Sequence, residues 1–371
     1  MDAGVGKPFP VSNVADTMSE RPTNTKLSAE EIADPTAASR KEDHIELAFR
    51  SQVDGMRLDH RFFYEPLLAP HPLPGSLPPI KFGDKNMRAP LWVSSMTGGT
   101  EKAYVINQNL AQACAEFGLG MGLGSCRPLL YGQDRLRDFD IRPVTGDEVP
   151  LFANLGVAQI EDLIDADRLP EIRQMVDLLR ADGLIIHVNP LQEWLQPEGD
   201  RFRMAPIEVI RAVLSGLPGL PVIVKEVGQG MGPDSLRALL QLPLLALDTA
   251  ANGGTNFSKL ELYRSDELSR RAFEPVTLLG HAALEMVNTV NDIAAEGDGA
   301  QVQCANLIIS GGLQNFLDGY YLTERAALPA IYGQASAFLR YAREDYATLK
   351  RYVLTQIRGL ELARAYLRLR P

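Results

Sequence analysis

The chain has 371 residues, 45% hydrophobic and 23% charged, with a formal net charge of −10. It is long enough to bury a large core, and its acidity excludes a broad nucleic-acid-binding face. Three cysteines, Cys114, Cys126 and Cys304, without a Cys-x-x-Cys motif exclude a disulfide framework and a cysteine zinc site and point to a reducing cytoplasm. No basic-then-apolar signal opens the chain, and its richest apolar run, 238–251, is broken by Gln241, Pro243 and Asp248, so no membrane span is expected.

Residues 1–37 are rich in Pro, Ser, Thr, Asp and Ala without periodicity and read as an irregular extension; 38–371 read as one domain. Ser39, with Glu42 three residues on, is placed to cap a helix running through Ile45, Leu47 and Phe49. Arg40 and Lys41 sit at that start, where cations oppose the helix dipole, so an anionic partner suits them better than plain solvation. The Pro-rich stretch 66–79 reads as a surface excursion. Short apolar runs then alternate with helical patterns. Strands are predicted at 90–96, 119–123, 150–153, 183–186, 221–224, 244–247, 306–309 and 330–332. The first helix is expected through Ile106, Leu110, Ala113 and Phe117. The stretch 273–290 reads as a helix starting at Pro275 rather than a ninth strand, and 337–369 as helices outside the sheet. Eight strand-then-helix units predict a (β/α)8 TIM barrel with an N-terminal extension and C-terminal helices.

Chemistry gathers where these strands end. The fourth ends in His187-Val188-Asn189-Pro190-Leu191-Gln192-Glu193. Side chains two apart share a face of a strand, so His187 and Asn189 should point the same way, and Pro190 should end the strand with Gln192 and Glu193 on the following loop. The bland alternative is a strand end with polar turn residues. Gly311-Gly312 and Gly333-Gln334 end strands seven and eight, the usual phosphate site of such barrels; the alternative is two ordinary turns. Lys225 ends strand five, either solvated or placed to stabilise negative charge developing on a ring. Glu193, a hard oxygen ligand beside an amide, suits Mg²⁺ held by one carboxylate plus substrate phosphates. No Gly-x-Gly-x-x-Gly, Walker, His-Glu-x-x-His or nucleophile-elbow motif occurs.

Taken together, Arg40-Lys41-Glu42-Asp43-His44, Met96-Thr97-Gly98-Gly99-Thr100-Glu101, Gly124-Ser125-Cys126-Arg127, Ala153-Asn154-Leu155-Gly156, the His187 to Glu193 motif, Val224-Lys225-Glu226-Val227-Gly228, Gly253-Gly254-Thr255 and Ser310-Gly311-Gly312 resemble the type 2 isopentenyl-diphosphate isomerases. The resemblance runs from Arg40 to the end of the barrel. It implies FMN at the barrel mouth, contacted by Ser95, Met96, Thr97, Ser125, Asn154, Lys225 and Thr255, with its phosphate on Gly311, Gly312 and the turn of Gly333, Gln334 and Ala335. It implies substrate contacts from Arg40, Lys41, Ser125, Cys126, Arg127, His187 and Gln192, with Mg²⁺ on Glu193. Isopentenyl diphosphate would become dimethylallyl diphosphate, with Gln192 nearest the alkene, His187 on the diphosphate, reduced flavin as acid-base agent and NADPH needed only to reduce it. Members are usually homo-oligomers, commonly tetramers. Three positions depart from the pattern: Cys126 stands where glutamine is usual, Gln314 where arginine is common, and Asn252 where a small residue precedes Gly253. Two rivals remain. A 2-hydroxy-acid oxidase or FMN reductase would transfer electrons, the oxidase wanting a His–Arg pair after strands six and seven. A non-catalytic protein with phosphate-holding loops would bind no flavin.

Overall fold

A computed structural model describes residues 37–297 and 301–371. The extension read in 1–36 lies outside the described residues. The chain divides into two compact units, 1–59 and 60–371. In the first, a helix spans Ala37–Leu47 and a 3-10 turn spans Gly55–Arg57. The helix begins before Ser39, so Ser39 lies inside it and is not its cap. Arg40 and Lys41 are exposed on that helix.

The second unit is built on eight parallel strands: β1 (Leu91–Val93), β2 (Gly120–Gly122), β3 (Leu151–Gly156), β4 (Gly183–His187), β5 (Val222–Lys225), β6 (Ala246–Asp248), β7 (Leu307–Ser310) and β8 (Ala330–Gln334). Each pairs with its successor and β8 returns to β1, closing a barrel. All eight strands predicted from the apolar runs are present. β3 and β8 run two or three residues further than expected, because their polar residues Asn154 and Gln334 stay in the ladder.

Alternation along the strands sorts the side chains into two cores. Leu91, Val93, Leu151, Ala153, Leu184, Ile186, Val222, Val224, Leu307 and Ile309 join the larger cluster with the surrounding helices. Their neighbours Trp92, Phe152, Ile185, Ile223, Ala246, Ile308 and Ile331 form a separate cluster with Phe82 and Met87. Those last two come from an antiparallel hairpin, Ile80–Phe82 with Lys85–Met87. Phe82 lies 5.3 Å from Trp92 and meets Phe152 edge-on at 6.2 Å between ring centroids. The hairpin therefore fills the apolar layer of the barrel interior. Two residues further along the same strands the inward positions turn polar: Ser94, Asn154, His187, Lys225, Asp248 and Ser310. A polar layer thus sits directly beyond an apolar one, toward the carboxyl ends.

The first barrel helix, Glu101–Phe117, is capped by Thr100, whose hydroxyl accepts from Ala103 N at 3.1 Å. The stretch 273–290 is not one helix from Pro275. A 3-10 turn at Glu274–Leu278 is followed by extended backbone, where Asn252 bridges Ala282, and the helix spans Ala283–Ala295. Pro275 suits the first turn of either helix type, so the proline marked a start but not which one. The C-terminal helices are Ser336–Ala342 and Tyr346–Tyr366, but the end of the chain is not helical: Leu367–Leu369 pairs antiparallel with Phe62–Tyr64.

Candidate active site at the barrel mouth

A cavity of about 440 Å³ opens at the carboxyl ends of β1, β5, β6, β7 and β8. Of the residues predicted to hold a cofactor, Ser95, Lys225, Thr255, Gly311, Gly312, Gly333, Gln334 and Ala335 line it. Met96, Thr97, Ser125 and Asn154 do not; Met96 packs against the larger core. The walls are largely backbone. Gly311 has φ +92°, and a Cβ there would fall 2.0 Å from the carbonyl oxygen of Ala251. Gly253, at φ +111°, would meet Gly312 Cα at 2.9 Å. These glycines let the loops after β6 and β7 pack main chain on main chain, which no side chain permits. Ser94 and Ser95 also line the cavity, and their Oγ atoms are buried with no hydrogen-bond partner among the described residues.

Lys225 supplies the cavity with a buried cation. Its Nζ donates to the carbonyl of Glu226 at 2.7 Å, and it stands in register between His187 on β4 and Asp248 on β6. Burial pulls the ammonium below the usual lysine range, partly offset by Asp248 and Glu226. Burial likewise pushes Asp248 and Glu226 up. Ser310 Oγ donates to Asp248 at 2.5 Å, and the backbone N–H groups of Gly228 and Gln229 donate to Glu226 at 2.7 and 2.6 Å.

His187 connects Lys225 to β3. The Asn154 amide nitrogen donates to Leu123 O at 2.9 Å, which leaves its oxygen to accept from His187 Nδ1 at 2.9 Å. That assigns the ring proton to Nδ1 and the lone pair to Nε2. Burial, then the nearby Lys225 charge, pushes the imidazole down to about 3, so the ring is neutral at ordinary pH. Between about pH 3 and pH 6.5 the unfolded chain holds a proton here that the folded one does not. Stability from this group is therefore full above pH 6.5 and lost as pH falls, by about 1.4 kcal/mol per unit. His187→Gln is expected to flatten the loss of unfolding free energy between about pH 6 and about pH 4 by close to one proton. Urea titrations with the same slope in both proteins would contradict this.

Three of the remaining predicted residues, Gln192, Glu193 and Arg127, belong to one polar chain. Asn189 does not extend the strand with His187. Pro190 opens a short helix, Pro190–Leu195, and places Gln192 and Glu193 on it rather than on a loop. The Asn189 amide donates to Glu193 Oε1 at 2.8 Å and to Gln192 Oε1 at 3.2 Å. The other Glu193 oxygen accepts from Asp200 N at 2.8 Å. Asp200 in turn holds Arg127 at 3.1 Å and accepts from Gln159 at 2.8 Å. At the far end Gln192 donates to Glu261 at 3.3 Å, a buried carboxylate that pairs with Arg264 at 2.6 Å. Ser125 is exposed. Cys126 is fully buried, its thiol pushed up to about 12 by burial and donating back to Gly124 O at 3.4 Å. Its side chain is thus turned into the core, leaving only backbone for any ligand contact.

Sequence reasoning missed Asp200, Gln159, Glu261 and Arg340. Asp200 lies just after the turn at Pro197 and Glu198, and Glu261 in an ordinary helix, so neither carried a local signal. No cluster of three or more His, Cys, Asp or Glu side chains fit to hold a metal occurs among the described residues.

No protein-family model matches the chain. It is 33% identical over 355 residues to the isopentenyl-diphosphate delta-isomerase of Rickettsia felis, covering 93% of this chain and 94% of that protein. The chain belongs to the isopentenyl-diphosphate delta-isomerase family. The Rickettsia africae isomerase is also 33% identical, over 87% of this chain and 91% of its own length. Among solved structures, the flavin-binding domain of baker's yeast flavocytochrome b2 superposes with a TM-score of 0.55 at 11% identity, covering 82% of this chain and 72% of that one. A mandelate oxidase variant carrying an FMN adduct gives 0.51 at 14% identity, covering 84% and 88%. At such identities the likeness is of fold alone, and that fold is the barrel expected of a type 2 isomerase. The positions after β6 and β7, where an oxidase would need its His–Arg pair, hold Gly253, Gly254, Thr255, Leu313 and Gln314 in this isomerase family member.

Proposed function

We propose that the protein interconverts isopentenyl and dimethylallyl diphosphate, with FMN in the barrel-mouth cavity and Mg²⁺ beside it. Family membership carries the reaction. The glycine-walled cavity floored by Lys225, with two unpartnered serine hydroxyls, carries the flavin. An FMN phosphate would take its donors from Gly311, Gly312 and the Gly333 to Ala335 turn, and Thr255 and Ser95 would flank the ring system. Reduced flavin, when bound, supplies acid-base chemistry at its N5 region, and NADPH is the reductant that readies it.

The reaction adds a proton at the terminal carbon and removes one from the carbon nearer the diphosphate, with no net redox change. The protein's share is to bind, orient and exclude water. Lys225 is a desolvated ammonium, so an anionic ligand beside it and the ammonium would stabilise one another. A diphosphate near Nε2 would raise the proton affinity of His187, which is neutral alone, through the same linkage. Arg127 is held by Asp200 until a phosphate competes for it, and its planar fork suits that exchange. Arg40 and Lys41 are proposed to serve the same diphosphate. Gln192, tethered between Asn189 and Glu261, is proposed to stand against the alkene.

Mg²⁺ suits Glu193 as a single protein ligand, with diphosphate oxygens and water completing the shell. Asn189 and the Asp200 N–H each hold one carboxylate oxygen and leave a lone pair on each. Glu193→Gln is expected to raise the Mg²⁺ concentration for half-maximal activity by roughly tenfold or more, at saturating FMN. An unchanged Mg²⁺ titration would remove Glu193 from this role. We propose a cytoplasmic homo-oligomer, commonly a tetramer in this family. Three buried free thiols are compatible with a reducing compartment, and no described helix is long and apolar enough to cross a membrane. The deciding experiment incubates the protein anaerobically with isopentenyl diphosphate, FMN, NADPH and Mg²⁺ and follows dimethylallyl diphosphate by NMR. Turnover of a 2-hydroxy acid instead would point to the oxidase rival.

A further inference from the structure

The cavity has an unbalanced charge inventory. A flavin phosphate brings between one and two negative charges, and the loop after β7 offers it only backbone N–H groups and the neutral Gln314, which donates to Gly312 O at 3.3 Å. Two cationic side chains line the cavity, Lys225 and Arg340. Lys225 belongs to the interior layer, among His187, Glu226 and Asp248. Arg340 lies on the helix Ser336–Ala342 that follows β8, on the same wall as Gln334, Ala335 and Gln314. It makes no ion pair among the described residues.

That wall is rigid. Tyr341, the next residue, stacks on Tyr352 at 4.5 Å and 25°. Phe338 meets Tyr352 edge-on at 5.7 Å. The Tyr352 hydroxyl donates to Gln334 Oε1 at 2.6 Å, and Asn109 Nδ2 donates to Ala342 O at 2.8 Å. A guanidinium carried on so fixed a helix is held near the glycine turns at small entropic cost, and its fork matches two phosphate oxygens at once. We infer that Arg340 is the cation for the flavin phosphate, supplied from the helix after β8 in place of the side chain that Gln314 does not provide. This rests on the FMN reading above.

The test compares FMN with riboflavin, which lacks the phosphate, by fluorescence quenching on the wild type, Arg340→Gln and Arg340→Lys. Arg340→Gln is expected to weaken FMN binding roughly ten- to hundredfold and leave riboflavin binding unchanged. Arg340→Lys should recover part of the loss, and Gln314→Arg in the Arg340→Gln background should restore more. The wild type should also lose FMN affinity as salt rises, more steeply than Arg340→Gln. Equal loss for both flavins would mean a structural role, and no loss for FMN would remove Arg340 from the site. A wild type that binds neither flavin would overturn the FMN reading itself.

Discussion

Lys225→Met is expected to lower isomerase turnover by about 10²- to 10³-fold, the usual consequence of removing one preorganised charge from a water-excluded site. The methionine keeps the stem and its packing, so the change isolates the ammonium. Lys225 is buried, and burial alone depresses its charged form. Removing the charge therefore relieves a desolvation cost even as it removes the attraction to Asp248 and Glu226. Asp248, already raised by burial and kept lower by Lys225, moves further up once the ammonium is gone. The thermal midpoint is thus expected to hold or rise while turnover collapses. Parallel loss of both would mean that Lys225 is structural; unchanged turnover would mean that the cavity floor needs no cation.

The second large effect concerns backbone. Gly311→Ala puts a Cβ within 2.0 Å of the Ala251 carbonyl oxygen at a φ of +92°. The oxygen belongs to main chain and cannot swing aside, so the loops after β6 and β7 must separate. Strain of about 1–2 kcal/mol at such a φ and roughly 1–3 kcal/mol of overpacking add to a loss of about 2–5 kcal/mol. Gly219→Ala is the control, because Gly219 has φ +77° with nothing within 4 Å of the built Cβ. It carries the strain without the clash and should cost about 1–2 kcal/mol. Urea unfolding of both variants separates the terms, and flavin binding should suffer only in Gly311→Ala. Equal destabilisation of the two would show that the close packing of the loops contributes nothing.

The barrel was readable because each strand is a short apolar run closed by a glycine or polar residue, and eight such units admit few topologies. Lys225, Gly311 and Gln334 announced themselves by standing where those runs end. Asp200 and Glu261 did not, since they reach the polar chain through folding rather than position, one from a turn and one from the helix after β6. The Pro190 helix shows the same limit at short range. The sequence marks a stop for β4, yet only the helical turn brings Asn189 back onto both Gln192 and Glu193. Cys126 reads as a substrate contact through the resemblance of the Gly124 to Arg127 stretch, whereas its thiol is buried and bonds back to Gly124 O. Ser39 is not the cap because the helix already includes Ala37 and Ala38 before it.

The barrel mouth is proposed to shuttle protons without net electron transfer. This is tested most directly by counting product against reductant under anaerobic conditions, with flavin reduced once by a measured amount of NADPH. Many molecules of dimethylallyl diphosphate are expected for each NADPH consumed. Product limited to one per NADPH, or formed only with an electron acceptor present, would contradict this.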